Sequence, residues 1–426
     1  MRHSSSTAGP VLAAEPERTS ISVREARDLV LSTIQKLGPE TVGLRDAVGR
    51  VLAEEVRADR RIPPADNSAM DGFALRAADA RQVPARLRVV DVIAAGARSD
   101  RKLGPGEAAR ILTGAPIPEG ADAVVMQEST RVEDADLHVL EAVSAGDHIR
   151  RAGSDVSPGL VVAEPGRVLR PADVGMLASL GRTQLSVVSR PRVAILATGD
   201  ELVEPDRLED DGRIVSSNSY GLQAAVVEVG AEPVLLGIAR DEPDLIADGF
   251  RRALHCDLVI STGGVSVGDR DWIKRVLADL GGDMRLWRVR MKPGAPLAFV
   301  TLAGRPVFGL PGNPVSTLVT FEQMVRPALL RMMGRSEIYR PVERARLADT
   351  YRKAAGRAHF VRVTLERGDG VPVARVCQDQ SSGVLLSMVR ADALVFVPEE
   401  TTEIPAGSEV SAILLGESGL RAEPGY

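Results

Sequence analysis

From Arg190-Pro191 to about Arg335 the chain alternates short apolar runs with amphipathic stretches of helical length, and this alternation restricts the fold more than any other feature. Runs at 193–197, 232–237, 258–261 and 306–309 predict strands, and 219–229, 245–254, 272–280 and 315–333 predict helices. Strands separated by helices pair in parallel, so the expected core is a mostly parallel sheet with helices on both faces. Such sheets take their ligands in the loops at the carboxyl ends of the strands.

The flanks read differently. From Phe73 to about Arg150 the segments are short and alternating, as at 86–93 and 123–127, which predicts a β-rich region. After Arg335, runs at 342–348, 360–366, 371–376 and 393–397 predict a small separate β domain. Near the start, Ser22-Val-Arg-Glu25 is a capping box, and Ile21, Leu29, Val30, Ile34 and Leu37 form a helical stripe that stops at Gly38-Pro39. A second amphipathic segment covers 44–56, and a further helix is expected near 171–180. Residues 1–20, rich in Ser, Ala and Pro and lacking an apolar h-region, read as a disordered tail rather than a signal peptide.

Several functional classes are disfavoured. The formal net charge is −5 and the arginines are scattered, so no basic footprint for nucleic acid is present. Cys256 and Cys377 form no C-x-x-C pair, and the histidines show no metal-binding spacing. No apolar run approaches the ~20 residues of a membrane helix, and the cytoplasm is the expected compartment. Neither G-x-G-x-x-G nor the Walker loop occurs. Gly264-Val-Ser266-Val-Gly268 mimics a serine-hydrolase elbow, but the one later histidine, His359, falls in the β domain outside the sheet.

Four loops at strand ends carry the chemistry. Ala197-Thr-Gly-Asp-Glu201 puts Asp200 and Glu201 at the mouth of the sheet. Ser261-Thr-Gly-Gly-Val-Ser-Val-Gly-Asp-Arg-Asp271 can form an anion cradle of backbone N–H groups, through Ser261, Gly263, Gly264, Ser266 and Gly268. Met291-Lys-Pro-Gly-Ala-Pro296 holds Lys292 on a stiff turn, and Leu310-Pro-Gly-Asn-Pro-Val-Ser-Thr317 opens a helix with Pro311, Gly312, Asn313 and Pro314. Phosphate-binding loops and carboxylates on one rim point to a phosphorylated ligand with Mg²⁺. Any one of these loops alone is equally a tight turn, and Asp241 in Arg240-Asp241-Glu242-Pro243 is equally a helix cap.

Together these loops resemble the molybdopterin molybdotransferase family, bacterial relatives of the C-terminal domain of gephyrin. The resemblance runs from about Ser22 to the C-terminus. It rests on the strings Asp66-Asn-Ser-Ala-Met-Asp-Gly-Phe-Ala74, Thr113-Gly-Ala-Pro-Ile-Pro-Glu-Gly-Ala-Asp-Ala-Val-Val-Met-Gln-Glu128 and Ile149-Arg-Arg-Ala-Gly-Ser-Asp155. It also rests on Thr198-Gly-Asp-Glu-Leu202, the 261–271 loop, Lys292-Pro-Gly294 and Leu310-Pro-Gly-Asn-Pro314. The resemblance implies a multidomain chain: 21–60 with 154–190 as a helical domain, 61–153 as a β-rich insert, 191–335 as the molybdopterin-binding α/β domain, and 336–426 as a C-terminal β domain.

It further implies a homodimer whose active site joins the α/β domain of one subunit to the β-rich region of the other. The implied reaction inserts molybdate into molybdopterin-AMP with release of AMP, assisted by Mg²⁺. By motif, Asp71, Thr113, Asp155, Glu201, Asp241 and Asp271 match the family's functional positions, with Glu201, Asp241 and Asp271 as metal ligands and Lys292 and Arg288 as anion-binding cations. On the residues alone, Asp71 also reads as ordering its own turn and Thr113 as a loop hydroxyl. Two positions depart from the family: Ala295 replaces a lysine, and Arg288 stands where lysine is common. The upstream adenylyltransferase and apo-molybdoenzymes are the implied protein partners. A molybdopterin adenylyltransferase or a scaffold protein of the same fold are the competing readings.

Overall fold

The computed structural model describes residues 20–209, 212–264, 272–368 and 370–416, and the expected tail, 1–20, lies outside them except for Ser20. The chain divides into two compact units, residues 1–40 with 188–426, and residues 41–187. No described helix is long and apolar enough to cross a membrane.

The first unit is built on a six-stranded sheet: β1 Arg192–Thr198, β2 Glu232–Ala239, β3 Leu258–Thr262, β4 Asp283–Arg288, β5 Pro296–Leu302 and β6 Arg305–Leu310, in the order β2-β1-β3-β6-β5-β4. Strands β2, β1, β3 and β6 are mutually parallel, whereas β5 runs antiparallel to both β6 and β4. The sheet is therefore mostly parallel, as expected, with one antiparallel strand, β5, beside the edge strand β4, that periodicity alone did not reveal. The cause is local: Ala303 and Gly304 both have positive φ and turn β5 back onto β6, with Leu302 opposite Arg305.

Both faces of the sheet are covered. Val193 and Ile195 of β1 join Leu258, Ile260, Phe308 and Leu310 on one face, while Ala194 and Leu196 join Val259, Ala298, Val300 and Val307 on the other. Successive residues are buried on opposite faces, which is why these strands read as continuous apolar runs. The first face is packed by helices α1 Val23–Thr33 and α2 Ser217–Val229 and by a long helical segment from Pro314 to Met332. In that last segment Phe321–Val325 is a π-helical stretch between α-helices Pro314–Thr320 and Arg326–Met332. The second face is packed by α3 Pro243–Ala253 and α4 Trp272–Asp279.

Helix α1 begins at the expected capping box, with Glu25 N–H donating to Ser22 Oγ at 3.2 Å and Ser22 N–H to Glu25 Oε2 at 2.8 Å. Its buried residues Val23, Ala26, Val30 and Leu31 belong to the α/β core. This differs from the grouping of 21–60 with 154–190, because the apolar stripe of α1 finds its partners among Met324, Leu329 and their neighbours.

The C-terminal part of this unit is a closed ring of five strands, Val342–Leu347, Ala358–Glu366, Val373–Val376, Ala393–Val397 and Glu409–Leu414, around its own core. Ring closure removes the open edges that a small sheet would otherwise expose.

The second unit contains another six-stranded sheet, formed by Gly72–Leu75, Ala85–Ile93, Glu107–Ile111, Ala123–Met126, Thr130–Glu133 and Asp136–Val139. Beside it, helix Pro171–Ser179 packs into a small core with Ala47, Leu52 and Val56. The amphipathic segment 44–56 is not a full helix: only Leu44–Asp46 forms a 3₁₀ turn, and Val51 and Leu52 bridge to Val168 and Val187. Gly49, with φ of 77°, turns the chain out of helical geometry between them.

Candidate functional site

Strands β1, β3 and β6 end side by side at Thr198, Thr262 and Leu310. Their following loops bound a cleft of about 400 Å³ whose lining includes Glu201, Asn218, Gly263 and the segment Gly312-Asn313-Pro314. One amide braces two walls: Asn218 Nδ2 donates to Thr262 Oγ1 at 3.0 Å and to Gly312 O at 2.7 Å. Thr317 Oγ1 donates to Pro311 O at 2.5 Å and ties that loop to the start of its helix. Gly263 has φ of 91°, and a Cβ there would lie 2.4 Å from Thr198 O, so the loop turns away from β3 only because this residue is glycine.

The rim is rich in oxygen. Glu201 is exposed, and its carboxylate folds back over Gly199, within 2.7 Å of where a Cβ on that glycine would sit. Asp241 N–H donates to Asp200 Oδ1 at 3.2 Å, so the loops after β1 and β2 are joined at this rim. Thr198 Oγ1 and Ser261 Oγ are buried without a hydrogen-bond partner among the described residues, and Thr198 lines the cleft. A buried orphan hydroxyl is costly unless something satisfies it. The cleft also receives the N-terminus of the 13-residue helix α2, through Ser216, Ser217 and Asn218, where backbone N–H groups favour an anion.

The C-terminal ring contributes residues that sequence reasoning missed. Asn313 Nδ2 donates to Ser382 Oγ at 3.0 Å, Val315 N–H donates to Ser382 O at 3.1 Å, and Gly383 and Leu385 line the cleft. The loop that carries Ser382 is clamped from below. Gln380 pairs with the backbone of Arg362 through Oε1 and Nε2, and Arg362 Nη2 donates to the carbonyls of Asp379 and Ser381. Arg362 is fully buried, and that burial pushes its guanidinium below its ordinary pKa. Asn218 and Ser382 were missed for the same reason: each sits in a polar run (Ser216-Ser-Asn218, Ser381-Ser-Gly383) whose role depends on a distant segment.

Lys292 lies on a different support. Met291 and Lys292 form a two-residue strand that runs parallel to Ala358 and His359 at the margin of the C-terminal sheet. A Cβ on Gly294 would meet Thr320 Oγ1 at 2.3 Å and Ser316 O at 3.4 Å, so the loop rests directly on the helix that opens at the cleft. Lys292 and Arg288 are exposed, and Ala295 is half-buried. Beneath Lys292, His359 Nδ1 is 2.9 Å from Tyr351 Oη, and its pKa is pushed down to about 4 by burial and then by Lys292, Lys353 and Arg357.

In the second unit, Asp71 Oδ1 accepts from Thr113 N–H and Oγ1, both at 2.7 Å. These bonds, the backbone one first, hold the Asp71 carboxyl below the usual range. Nearby in sequence, Asp66 accepts from Ala152 N–H at 2.8 Å and from Arg151 Nη1 at 2.6 Å. Asp155 is exposed, and its backbone N–H donates to Ile62 O at 3.0 Å.

Among the expected residues, Glu201, Gly263, Gly312, Asn313 and Pro314 therefore line one cleft. Ser261, Gly264, Pro311 and Asp241 lie at the same strand ends. Lys292 and Arg288 sit on the neighbouring segment, and Asp71 pairs with Thr113 in the second unit. Ser266, Gly268 and Asp271 lie outside the described residues, and among those described no cluster of three metal-ligating side chains occurs.

Three family models match in succession: the MoeA N-terminal region (domain I and II) at 21–181, a probable molybdopterin binding domain at 194–331, and the MoeA C-terminal region (domain IV) at 344–415. A molybdopterin molybdenumtransferase of Nostoc sp. is 37% identical, covering 92% of this chain and 94% of that protein. Molybdopterin molybdenumtransferase 2 of Mycobacterium tuberculosis is also 37% identical, covering 91% and 98%. The crystal structure of the molybdopterin biosynthesis moeA protein from Pyrococcus horikoshii OT3 superposes with a TM-score of 0.79 at 35% identity, over 93% of this chain and 100% of that one.

Proposed function

The chain belongs to the molybdopterin molybdenumtransferase (MoeA) family and is a transferase of molybdenum cofactor biosynthesis, and we propose that its reaction takes molybdopterin-AMP and molybdate and releases AMP. One observation carries this reading: three strand-end loops, a helix N-terminus and Ser382-Gly383 of the C-terminal ring enclose one cleft furnished for a phosphorylated ligand. In this reading the N–H groups of α2 and of Gly264 bind phosphate oxygens, while Gly263 N–H is held by Leu310 O at 3.3 Å and Asn218 braces the two walls. Thr198 Oγ1 gains in the ligand the hydrogen-bond partner it lacks among the described residues.

Carboxylate and hydroxyl oxygens at the rim suit a hard dication. Glu201 and Asp241, with Asp271, would hold Mg²⁺, which offsets charge on the pyrophosphate when bound. A water attacks the phosphorus on the molybdopterin side of the pyrophosphate, the bridging P–O bond breaks so that AMP leaves with the bridging oxygen, and the water's proton passes to solvent at the open rim. Lys292 and Arg288 bind the molybdate dianion, Arg288 as a fork and Lys292 as a point charge. Asp71, Thr113 and Asp155 complete the reaction centre from the β-rich insert, supplied across a homodimer in the cytoplasm. Domain borders near 60, 153, 190 and 335 belong to the same reading. The upstream adenylyltransferase and apo-molybdoenzymes remain the proposed protein partners.

The test incubates the purified chain with molybdopterin-AMP, Mg²⁺ and molybdate while AMP and reconstitution of an apo-molybdoenzyme are followed. Molybdate-dependent AMP release that a chelator abolishes is expected. Reconstitution without AMP release would overturn the adenylated substrate, and full activity from a monomer in light scattering would overturn the dimer.

A further inference from the structure

The segment that carries Lys292 is gripped on both sides. Along it Val289 and Met291 are buried in the α/β core, Arg288 and Lys292 are exposed, and Arg290 sits between them at a tight bend closed by Met291 N–H donating to Val289 O at 2.8 Å. On one side the start of the described chain lies alongside: Ile21 N–H donates to Arg288 O at 3.3 Å, and Arg290 N–H donates to Ile21 O at 2.8 Å. On the other side Ala358 N–H of the C-terminal ring donates to Arg290 O at 2.9 Å. The Arg290 side chain joins the same two neighbours. Its Nε donates to Glu399 Oε2 at 2.7 Å, its Nη1 donates to Ser20 O at 2.5 Å, and its Nη2 lies 3.9 Å from Glu25 Oε2.

Each partner is itself fixed. Glu25 is the acceptor of the capping box that starts α1. The Glu399 backbone carbonyl accepts from Gly356 N–H at 2.9 Å and Lys353 Nζ at 3.0 Å. Arg290, two places before Lys292, thus joins the Ser20–Glu25 segment, Ala358 and Glu399 at one bend.

We propose that Arg290, through Glu399 and Ser20, is the positioning residue that fixes Lys292 for molybdate. This rests on the reading that Lys292 binds the anion. The ion pair is partly exposed, with side chains 37% and 25% accessible. Such a pair adds little to global stability, so its value lies in direction rather than in holding the fold. It also matches Arg290 with carboxylates, so the added cation is not left uncompensated beside the anion site.

The test uses the full-length chain and titrates molybdate at saturating molybdopterin-AMP for Arg290→Ala, Arg290→Lys, Glu399→Gln and Lys292→Ala. For Arg290→Ala the half-saturating molybdate concentration should rise about tenfold, less than the ~100-fold that a 1 Å misplacement can cost. The rate at saturating molybdate and the half-saturating molybdopterin-AMP concentration should stay at wild-type values. Arg290→Lys should recover part of the shift, and Glu399→Gln should show a smaller shift in the same direction with an unchanged melting temperature. If Lys292→Ala moves the curve and neither Arg290→Ala nor Glu399→Gln does, the inference is overturned. Parallel losses in both substrates would also overturn it, since they mark general loosening. A curve unmoved by Lys292→Ala sinks the reading of Lys292 itself, which is a separate failure. Should Arg290→Ala not fold, Glu399→Gln decides alone.

Discussion

The strand-end cleft and the Lys292 segment are neighbours on one fold, yet they are held by different forces. The cleft is braced by neutral hydrogen bonds from Asn218, Thr317 and Asn313 and by a glycine with no room for a Cβ. The Lys292 segment is held by backbone pairing on both edges and by the ion pair of Arg290 with Glu399. Neutral bonds depend little on salt or pH, so the bracing of the cleft is insensitive to both. Partly exposed charges respond to both, so the anion-binding segment is the adjustable part of the site.

The strongest way to break the comparison is chemical. Glu201→Gln should slow AMP release about 100-fold, the scale on which removal of one electrostatic stabiliser acts, while the melting temperature holds because the side chain is exposed. A wild-type rate at saturating Mg²⁺ would remove Glu201 from the reaction.

Next comes the rigidity of the cleft. Gly263→Ala puts a Cβ 2.4 Å from Thr198 O at φ of 91°, a strain of about 1–3 kcal/mol. The expected outcome is a lower urea midpoint and lost molybdopterin-AMP binding. Gly312→Ala, where the nearest atom to a new Cβ is 3.9 Å away, should behave as wild type. Equal stability of the two variants would show that the Gly263 turn is not rigid.

The support beneath Lys292 should respond to acid. The pKa of His359 lies near 4 in the folded chain against an ordinary 6.5. As pH falls the unfolded chain takes up this proton first. The contribution of His359 to stability is therefore complete above about 6.5 and disappears between there and about 4. In that window the wild type should lose up to about 1.4 kcal/mol per pH unit more than His359→Gln. Parallel stability curves for the two proteins from pH 7 to 4 would contradict this.

The smallest effect sharpens the adjustable half of the comparison. Ala295→Lys adds an ammonium on the loop between Gly294 and Pro296. At ~4 Å it would attract a molybdate dianion by about 2 kcal/mol in bulk water, part of which ordering the side chain returns. A several-fold lower half-saturating molybdate concentration is expected at low salt, shrinking at high salt. Superimposable curves at both ionic strengths would show that the position is out of reach.

Much of this architecture was legible in the sequence because the period of burial writes it there. Strands β1, β3 and β6, helices α2 and α3, the capping box at Ser22 and four of the five strands of the C-terminal ring follow from apolar spacing and turn residues alone, whereas Glu409–Leu414 was not foreseen. So do the Gly-rich loops at the strand ends. The 296–302 run was not legible as an antiparallel strand, because a strand buried on both faces has no alternation to show. Segment 44–56 misled in the opposite way. Ala47, Val51, Leu52 and Val56 are buried, Leu44 and Ala53 half-buried and Val48 exposed, but the burial is by extended chain rather than helix.

What the sequence determined by itself is the kind of chemistry: glycines where the backbone must turn at a strand end, carboxylates beside them, and a lysine on a stiffened loop. These are local requirements, and local residues state them. Only the tertiary structure decided which distant groups complete the site. Ser382 reaches Asn313 from the C-terminal ring, Asn218 spans Thr262 and Gly312 from α2, and Arg290 draws Ser20 and Glu399 together across more than a hundred residues on each side. Hydrogen bonds and ion pairs depend on distance in space, and spacing along the chain carries no record of segments that the fold alone brings together.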